Sequence, residues 1–433
     1  MSEPPLPVDR ANSPESVGKH VTLRGWIYRT RTQGGLAFLV LRDSTGIMQV
    51  TVRKQSVGEE AFGRASAALI ESAIEVEGEV ASDARAPGGH EVRAQAVRII
   101  SPAEVFPIFS GQTEEFLLDK RHLSIRSRDI VAVLRVKAEV LRSARAFLAS
   151  ERVIEMTPPL LTGNAAEGGS EAFTLDYFGR PAFLSQTAQL YLEALIYPLE
   201  RVYSITTSFR AEKSRTPRHV TEFTHLEAEL AWAGMKENLD LQERLIEAIC
   251  RDVADHCPAE LSLLNVDPAE LRSVKAPFDR IRYEEAIQQL QAKGFAVEFG
   301  SDLGTAEERA LTLERTSPLF VTNYPEAIKA FYMLRSADDP RTVECDDLLG
   351  PQGYGEIIGG SCRETDVVRL RERLEKTGAA LENYEWYLDL RRYGSVPHAG
   401  FGVGIERVVR WITRREHIRD TTPFPRTPSR VLP

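Results

Sequence analysis

The first hundred residues alternate apolar and polar side chains in five short runs, the period-two pattern of half-buried β-strands. Turn-forming sequences separate the first runs at residues 33–35 (Gln-Gly-Gly) and 43–46 (Asp-Ser-Thr-Gly). Five strands in this arrangement predict an OB-fold barrel, whose open face binds single-stranded oligonucleotides through stacking and hydrogen bonds. The predicted strands are residues 21–27, 37–42, 46–52, 74–80 and 91–100.

After the barrel, helical and strand patterns alternate without the regular βαβ rhythm of a doubly wound parallel sheet. A proline-punctuated stretch at 101–107, followed by a polar segment ending near Asp129, predicts a hinge. Residues 202–205 and 223–230 alternate as strands and predict an antiparallel hairpin. We therefore expect an α+β protein with a barrel domain at 1–103, a hinge at 104–130, and a second domain at 131–433 that carries a charged helical insertion at about 235–300.

Composition agrees with two packed domains in a reducing compartment. With 433 residues and 42% hydrophobic content, the chain is long enough to form two cores. The four cysteines form no Cys-x-x-Cys pair and no secretory signal precedes them, which argues against a zinc ribbon and predicts a cytoplasmic protein. No apolar run approaches the ~20 residues that span a bilayer, so we expect no membrane partner.

The charge distribution changes the interpretation of the barrel, because the net charge of −9 over the whole chain conceals a basic segment. Residues 19–54 hold seven Lys/Arg and one acid, Asp43, which gives a local excess of +6. A basic patch of this kind is the electrostatic footprint of a nucleic-acid-binding surface.

Three short segments of the second domain carry residue types suited to a nucleoside triphosphate. They are residues 209–212 (Phe-Arg-Ala-Glu), 218–223 (Arg-His-Val-Thr-Glu-Phe) and 402–407 (Gly-Val-Gly-Ile-Glu-Arg). Arginine guanidinium groups are permanently charged planar forks that match phosphate oxygens, and an aromatic ring can stack on a purine. The sequence contains no P-loop or dinucleotide-binding motif to compete for this role.

The predicted hairpin leaves two interpretations of its charged residues open. An antiparallel pair places alternate residues on one face, which can bring Arg210, Glu212, Glu227 and Glu229 around one cavity. The same charges on a solvated hairpin would simply face water. Composition alone favours neither interpretation.

The segments resemble the signature motifs of the class II aminoacyl-tRNA synthetases. Residues 209–212 look like motif 2, residues 402–407 look like motif 3, and a predicted helix at 131–149 followed by residues 152–159 looks like motif 1. The three motifs stand in the right order and spacing, and a barrel of the anticodon-binding kind precedes them. Within the aspartyl, asparaginyl and lysyl subgroup, the chain is most similar to the asparaginyl-tRNA synthetases, over essentially all 433 residues.

The resemblance implies an ATP-dependent enzyme that ligates L-asparagine to tRNA(Asn) through an asparaginyl-adenylate, with Mg²⁺ as cofactor. It also implies an antiparallel sheet flanked by helices and a homodimer built on motif 1, where Pro158 matches an interface position. Two alternatives share this catalytic body: a non-discriminating aspartyl-tRNA synthetase and a synthetase-derived asparagine synthetase. A third, a non-catalytic tRNA-binding paralogue, is disfavoured because Arg210, Glu356 and Arg407 are all present.

The resemblance assigns expected roles to individual residues of the second domain. Arg210 and Arg407 are the expected catalytic residues, and Glu356 is the expected Mg²⁺ ligand. The residues expected to bind ATP are Arg210, Glu212, Arg218, His219, Phe223, Glu356, Gly404 and Arg407. Those expected to bind the amino acid are Glu167, Gln186, Gln189, Arg210, Glu227 and Arg363.

The expected metal site departs from the pattern of the aspartyl enzymes, because Gly359 stands where they have an assisting serine. Asp346 and Asp347 are candidates for a second carboxylate, and the alternative is that both are ordinary loop acids.

Two positions bear on the choice of amino acid. Aspartyl enzymes carry a lysine where this chain has Leu192 and an aspartate where it has Glu227. Leucine in place of the cation makes the pocket unfavourable for a second carboxylate, because an unpaired charge in a desolvated site costs several kcal/mol. An amide can instead donate to Glu227 and accept from Arg363, so we expect asparagine rather than aspartate.

In the barrel, the resemblance implies that Phe38 stacks on the central anticodon base and that Gln49 hydrogen-bonds to it. Arg29 and Arg31 are expected to contact nearby phosphates or bases. An exposed aromatic contributes about 1–3 kcal/mol per stacked base. The alternative for Phe38 is an ordinary position in the barrel core, which strand alternation does not exclude.

Overall fold

The computed structural model describes residues 4–164, 171–213 and 216–433. The chain divides into two compact units, Met1–Leu117 and Leu118–Pro433. Within the described ranges, no helix combines the length and apolarity needed to cross a membrane. The four cysteines are free thiols, and all of them are buried.

The first unit contains the predicted five-stranded barrel, which is closed. The strands are β1 (His20–Gln33), β2 (Leu36–Arg42), β3 (Ile47–Arg53), β4 (Ala73–Ser82) and β5 (His90–Ser101). The helices of this unit include α1 (Val8–Ala11), α2 (Lys54–Val57) and α3 (Glu59–Ala67). Around the barrel the order is β1-β2-β3-β5-β4, and only the β3–β5 pair is parallel among these described strands.

Alternate residues of the barrel strands point inward because a strand has a period of two. On β2, Ala37, Leu39 and Leu41 are buried, whereas the residues between them are partly exposed. At Gly25 a Cβ atom would lie 2.3 Å from the backbone oxygen of Arg42 on the neighbouring strand, so this close approach of β1 and β2 requires glycine.

The second unit is built on an eight-stranded sheet. In chain order its strands, with those of a small separate sheet, are β6 (Ile154–Glu155), β7 (Leu161–Thr162), β8 (Thr174–Tyr177), β9 (Arg180–Leu184), β10 (Arg201–Phe209), β11 (Glu222–Ala231), β12 (Asp279–Arg282), β13 (Leu319–Thr322), β14 (Cys345–Gly350), β15 (Gly355–Cys362) and β16 (His398–Gly404). The small sheet has the order β7-β9-β8, and the large one β12-β13-β14-β15-β16-β11-β10-β6.

The large sheet is antiparallel at its centre, as expected, and parallel at its two outer pairs. Its central pairs, from β13–β14 to β10–β11, are antiparallel. The two outer pairs, β12–β13 and β6–β10, are parallel. In each outer pair, a connection that contains a helix joins the first strand to the second, β12 to β13 and β6 to β10. Such a connection returns the chain to the end of the sheet where the first strand began, so the second strand runs parallel to it.

The helices of the second unit cover this sheet. They are α4 (Glu114–Asp119), which spans the division between the units, α5 (Arg121–Ser124), α6 (Arg128–Ser150), α7 (Gln189–Leu199), α8 (Met235–His256), α9 (Pro258–Leu263), α10 (Pro268–Arg272), α11 (Tyr283–Ala292), α12 (Thr305–Thr312), α13 (Val367–Lys376), α14 (Glu385–Arg392) and α15 (Ile405–Ile412). The predicted motif 1 helix is α6, which begins three residues earlier than expected because the Ser127 side chain caps it by accepting from the Ile130 N–H.

The segment at 235–300, expected to be an insertion, is part of the core and the sheet of this unit. Helix α8 buries one face that includes Leu241, Leu245, Ile249 and Val253, spaced four residues apart. This face joins the largest apolar cluster of the protein together with residues of α6 and the central strands. The same segment supplies β12, an edge strand of the large sheet.

Candidate active site

The hairpin of β10 and β11, which lies next to the edge strand β6 of the large sheet, positions the motif 2 residues. The strands pair in antiparallel register with Phe209 opposite Glu222, and the chain leaves β10 at the next residue, Arg210. The Arg210 backbone N–H donates to the Thr221 carbonyl oxygen at 3.0 Å. Its guanidinium carbon lies 5.5 Å from the centre of the Phe223 ring, a distance at which cation and ring attract.

A first cavity opens beside this hairpin, between β11, β15 and the start of α15. All eight residues that the sequence nominates for ATP line it: Arg210, Glu212, Arg218, His219, Phe223, Glu356, Gly404 and Arg407. The β10–β11 hairpin and the start of α15, which are far apart in sequence, therefore bring three arginines and a phenylalanine to one concave site. An anion with an aromatic base is the class of ligand that these groups match.

The arginines of the first cavity set the protonation of their neighbours. Burial and the nearby Arg407, Arg218 and Arg210 lower the pKa of His219 to about 4, so this imidazole is neutral at pH 7. Burial opposes ionisation of Glu356, but Arg407, Lys329 and Arg210 outweigh it and hold its pKa at about 2. The Arg407 guanidinium lies 3.0 Å from the Glu356 carboxylate.

A second cavity of about 450 Å³ adjoins the first. Gln189, Leu192, Glu227 and Arg363 line it. The residues that line both cavities are Arg210, His225, Glu356 and Gly402. The hairpin charges therefore face two adjoining cavities, not one: Glu212 faces the first, and Glu227 and Glu229 face the second, with Arg210 between them.

The charged groups of the second cavity are fixed by buried partners. Arg363 donates from Nε and Nη2 to the two carboxylate oxygens of Glu229, at 3.0 and 2.8 Å, and from Nη1 to the Ser361 hydroxyl at 2.5 Å. The Arg363–Glu229 pair is almost fully buried, so the guanidinium reaches the cavity with its charge already balanced.

Glu227 is 4% exposed and has no lysine or arginine bonded to it among the hydrogen bonds of the described residues. It accepts from the Ala188 backbone N–H at 2.7 Å and from the Thr187 hydroxyl. Burial raises the pKa of Glu227, and the two hydrogen bonds oppose this rise. Leu192 lines the same cavity, is fully buried and contributes no charge.

Sequence reasoning missed a buried network behind Gln189. The Gln189 amide donates to Glu193 at 2.9 Å, and Glu193 also accepts from Arg391 at 2.5 Å and from the Tyr387 hydroxyl at 2.8 Å. Gln189 and Glu193 stand four residues apart on α7, whose other residues are almost all apolar, and this i, i+4 polar pair was the available signal.

Glu193, Glu229 and His398 lie close enough together to suggest a metal site. Both carboxylates are already paired with guanidinium groups, Glu193 with Arg391 and Glu229 with Arg363. The three side chains of the cluster are also at most 1% exposed, so they have no contact with solvent or with a bound phosphate, and we interpret the cluster as a structural network that orients the pocket.

Two carboxylates meet at Gly359 in a way that suits a divalent cation. A Cβ atom at this glycine would lie 3.3 Å from the Glu356 carboxylate and 3.7 Å from that of Asp347. Asp347 is also bound by Lys329 at 2.8 and 3.0 Å. Asp346 and Asp347 are not loop acids, since both lie on β14, and burial raises the pKa of Asp346 to about 7.

Among the described residues nominated for ATP or the amino acid, Gln186 lines neither cavity. Gln186 is buried, at 4% exposure, beside the start of α7. Glu167 falls outside the described residues, so its expected contact with the amino acid stays a prediction.

The barrel places its four nominated residues on one outer face. Phe38 pairs with Arg31 on β1, Arg29 pairs with Val40, and Val40 pairs with Gln49 on β3, so the side chains of these opposed residues share a side. Phe38 points away from the barrel core, since its neighbours Ala37 and Leu39 are the buried ones. The alternative that Phe38 is a core residue is therefore wrong.

Glu91 completes this outer face and was not found from the sequence. It pairs with Gln49 in register, accepts from the Gln49 amide at 3.0 Å and accepts from the Thr51 hydroxyl at 2.5 Å. Glu91 is 5% exposed, and the hydrogen bond that it accepts orients the Gln49 amide so that the amide oxygen is left for another donor. Only the β3–β5 pairing brings the two residues together, which a linear pattern does not show.

Comparisons with known proteins agree with this geometry. Residues 113–428 match the family "tRNA synthetases class II (D, K and N)", and residues 21–100 match the family "OB-fold nucleic acid binding domain". The chain is 49% identical to the asparagine–tRNA ligase of Thermococcus kodakarensis over 97% of its own length and 98% of that protein.

Two solved structures with asparaginyl-adenylate bound have the same architecture. Asparaginyl-tRNA synthetase from Pyrococcus horikoshii superposes with a TM-score of 0.95 at 48% identity, covering 98% of each chain. The enzyme from Entamoeba histolytica superposes with a TM-score of 0.88 at 31% identity, covering 96% of this chain and 97% of the other. This chain therefore belongs to the class II tRNA synthetases of the D, K and N group, in the branch of the asparaginyl-tRNA synthetases.

Proposed function

We propose that the protein activates L-asparagine with ATP and transfers it to the terminal ribose hydroxyl of tRNA(Asn). The observation that carries this proposal is the pair of adjoining cavities that share Arg210, one built for a triphosphate and one built for a small polar side chain. Its close relative from Pyrococcus horikoshii, at 48% identity, holds asparaginyl-adenylate. An adenylate is the molecule that spans two such cavities.

The first chemical step needs no protein nucleophile or base. The asparagine carboxylate is already an anion, so it attacks the α-phosphorus of ATP in line as the bond to pyrophosphate breaks. Arg210 lies where the two cavities meet and stabilises the charge on the α-phosphate. Arg218, His219 and Arg407 hold the β and γ phosphates, and Phe223 stacks on the purine.

His219 acts in this step as a neutral donor, because the surrounding arginines exclude a further positive charge at pH 7. Its Nδ1 is hydrogen-bonded to the Thr216 hydroxyl, and Nε2 is the nitrogen that we propose as the donor to a phosphate oxygen. The Nε2 atom lies 3.8 Å from the Glu212 carboxylate, and both side chains line the first cavity.

The site selects an amide over a carboxylate by its balance of charge. Arg363 is neutralised by Glu229, Leu192 supplies no cation, and Glu227 keeps free acceptor positions on a buried carboxylate. The amide NH₂ of asparagine donates to Glu227 and its carbonyl oxygen accepts from Arg363. The extra carboxylate of aspartate would have no unpaired cation to meet, and a desolvated unpaired charge costs several kcal/mol.

Mg²⁺ fits the carboxylates that converge at Gly359. Glu356 is the first ligand we propose, and Asp347 is the second, since hard carboxylate oxygens are the ligands this cation prefers. When bound, the ion neutralises charge on the phosphates of ATP. The protein's own contribution is to keep Glu356 ionised, through Arg407 and Lys329.

The outer face of the barrel is proposed to bind the anticodon of tRNA(Asn). Phe38 offers a stacking surface, Gln49 is oriented by Glu91, and Arg29 and Arg31 are exposed beside them. Other basic residues of the same segment are already in ion pairs, such as Arg24 with Glu75 and Lys54 with Glu59, so the arginines near Phe38 carry the charge that meets the nucleic acid.

We also propose that the protein is a cytoplasmic homodimer formed through motif 1. Helix α6 is followed by β6 at the edge of the large sheet, where Ile154 is 43% exposed and the nearby Leu161 is 47% exposed. An apolar sheet edge of this kind needs a cover. Sedimentation equilibrium of the purified protein should give twice the chain mass of 48.4 kDa, and a monomer would contradict this arrangement.

The decisive test is ATP–pyrophosphate exchange with asparagine and, separately, with aspartate at matched concentrations and with Mg²⁺ present. Exchange with asparagine alone is the expected result. Comparable exchange with aspartate would shift the assignment to an aspartyl enzyme and would refute the proposed roles of Leu192 and Glu227. Charging of tRNA(Asn) in the same preparation would then separate a synthetase from an enzyme that releases free asparagine.

A further inference from the structure

A glutamate outside the nominated site touches two parts of it at once. Glu308 lies on α12 and is 5% exposed. One of its carboxylate oxygens accepts from Nη1 of Arg218, and the other accepts from Nη2 at 3.2 Å. The first oxygen also accepts from the Glu356 backbone N–H at 2.8 Å. A single carboxylate thus joins the motif 2 loop to the strand that carries Glu356.

The backbone at Gly355 leaves room for this contact. Its φ angle of +77° lies in the left-handed region that favours glycine. A Cβ atom there would stand 2.7 Å from Nη1 of Arg218 and 2.7 Å from the Glu308 carboxylate. Any side chain at this position would push the two groups apart, so the close pair depends on both Glu308 and Gly355.

A buried ion pair of this kind is weak evidence for stability. Removing two charges from water costs as much as their attraction returns, and apolar residues of similar size serve a core equally well. The Arg218 guanidinium, however, lines the first cavity and has five N–H donors, of which the pair with Glu308 uses two. Nε is buried, so the second N–H of Nη1 and the second N–H of Nη2 stay available to a ligand while the group itself is held in one orientation.

We propose that Glu308 is a positioning residue for ATP, which holds the Arg218 guanidinium in the orientation that receives the outer phosphates and fixes it relative to Glu356. The proposal rests on the proposed function, in which Arg218 binds the β and γ phosphates. Fixing a flexible arginine before the ligand arrives removes an ordering cost from binding. Glu308 therefore affects the phosphates beyond the α-phosphate and not the purine or the amino acid.

The test compares ligands that do and do not carry those phosphates. In Glu308→Gln, the KM values for ATP and pyrophosphate in the exchange reaction should rise tenfold or more. The inhibition constant of AMP and the KM for asparagine should stay within about twofold, as expected of a change confined to one arginine. Glu307→Gln, the neighbouring residue on α12, is the matched control and should leave all four values unchanged.

A merely structural role would give a different pattern. If Glu308→Gln weakened the binding of AMP and asparagine as much as that of ATP, or left the KM for ATP unchanged, the proposal would be wrong. Gly355→Ala provides a second route to the same question if the glutamine variant does not fold, because it displaces the pair and keeps both charges. It should reproduce the ATP-specific loss, and a uniform loss or none would overturn the proposal.

A double-mutant cycle shows whether Glu308 acts through Arg218. In an Arg218→Ala background, adding Glu308→Gln should change the KM for ATP by less than about twofold. Independent, multiplicative effects would refute the positioning role while leaving the proposed function of Arg218 intact. If Arg218→Ala alone left the KM for ATP unchanged, the assigned phosphate contact would be wrong, and the positioning role would fall with it.

Discussion

The catalytic cavities and the outer face of the barrel both recognise polar ligands, but they are built in opposite ways. In the cavities the charged groups are buried and held by one another, as in the pair of Arg363 and Glu229. On the barrel, Arg29 and Arg31 are exposed, and one buried acid, Glu91, orients a neighbouring amide. A preorganised interior site is sensitive to single substitutions, whereas an exposed surface distributes its binding energy over several contacts.

The largest effect that separates the two regions is expected at Arg210. Arg210→Ala should lower the rate of ATP–pyrophosphate exchange by about 10²–10³-fold or more, because it removes a charged donor from the reacting phosphate. Binding of tRNA(Asn), measured by filter retention, should stay within about twofold because the barrel supplies the anticodon contacts. Lys213→Ala, an exposed residue of the same loop, should change neither quantity.

If Arg210→Ala exchanged pyrophosphate near the wild-type rate, the contrast between cavities and barrel would be wrong, because the arginine that lines both cavities would then have no role in the reaction. Parallel loss of tRNA binding would indicate misfolding instead, which circular dichroism of the variant checks directly.

The sequence predicted much of both regions, for different reasons. The barrel strands follow from period-two alternation, and the residues of the first cavity follow from short motifs that can be recognised in the linear sequence. Contacts between elements that are distant in the chain did not follow. Glu91 meets Gln49 only through the parallel β3–β5 pairing, and Glu308 reaches Arg218 from a helix 90 residues away. Segment 235–300 was interpreted as an insertion because of its many charged residues. These lie on the outer face of α8, whereas the opposite face of the helix is buried in the core.

Substitution of Leu192 tests the charge balance of the amino-acid pocket. Leu192→Lys places an ammonium group near Glu227. This change should lower kcat/KM for asparagine and raise kcat/KM for aspartate relative to that for asparagine. A buried charge pair rearranged in this way is worth about 3 kcal/mol, so the ratio of the two kcat/KM values should shift about 10²-fold. Exchange assays with both amino acids measure this ratio.

Leu192→Met is the matched control, since it keeps the volume and the lack of charge and should preserve the preference for asparagine. An unchanged ratio in Leu192→Lys would show that selectivity arises elsewhere in the pocket, for example in the network of Gln189 and Glu193.

On the barrel a smaller effect is expected. Phe38→Ala should raise KM for tRNA(Asn) about tenfold, the loss of roughly one stacked base. ATP–pyrophosphate exchange without tRNA should not change, because this side chain is on the outer face of the barrel and lines neither cavity within the described residues. Trp26→Ala removes another exposed aromatic, beside Arg42 on the same barrel, and should have less effect on tRNA.

If Phe38→Ala reduced exchange as strongly as charging, the separation of the two regions would be wrong. If the Trp26 variant weakened tRNA binding as much as the Phe38 variant did, the tRNA-binding face would have to include the surface around Arg42.

The smallest expected effect concerns pH, and it compares the partly buried His219 with an exposed histidine, His20. The pKa of His219 is about 4 in the folded protein and about 6.5 in an unfolded chain, so between these values the unfolded chain binds more protons. Folding is therefore less favourable as pH falls from about 6.5 to 4. Replacing the ring by His219→Gln removes this dependence, whereas His20→Gln, on the exposed face of β1, should not.

Urea unfolding of the full chain at pH 7 and pH 4.5 measures the difference. Wild type and His20→Gln should lose stability alike between the two pH values, and His219→Gln should lose less, because its contribution has been removed while all other groups titrate as before. An equal loss in all three proteins would mean that His219 is not kept neutral by the three arginines. The phosphate contact assigned to its uncharged ring would then require a protonated imidazole, and the electrostatic contrast between the buried cavities and the open barrel would lose its clearest single-residue case.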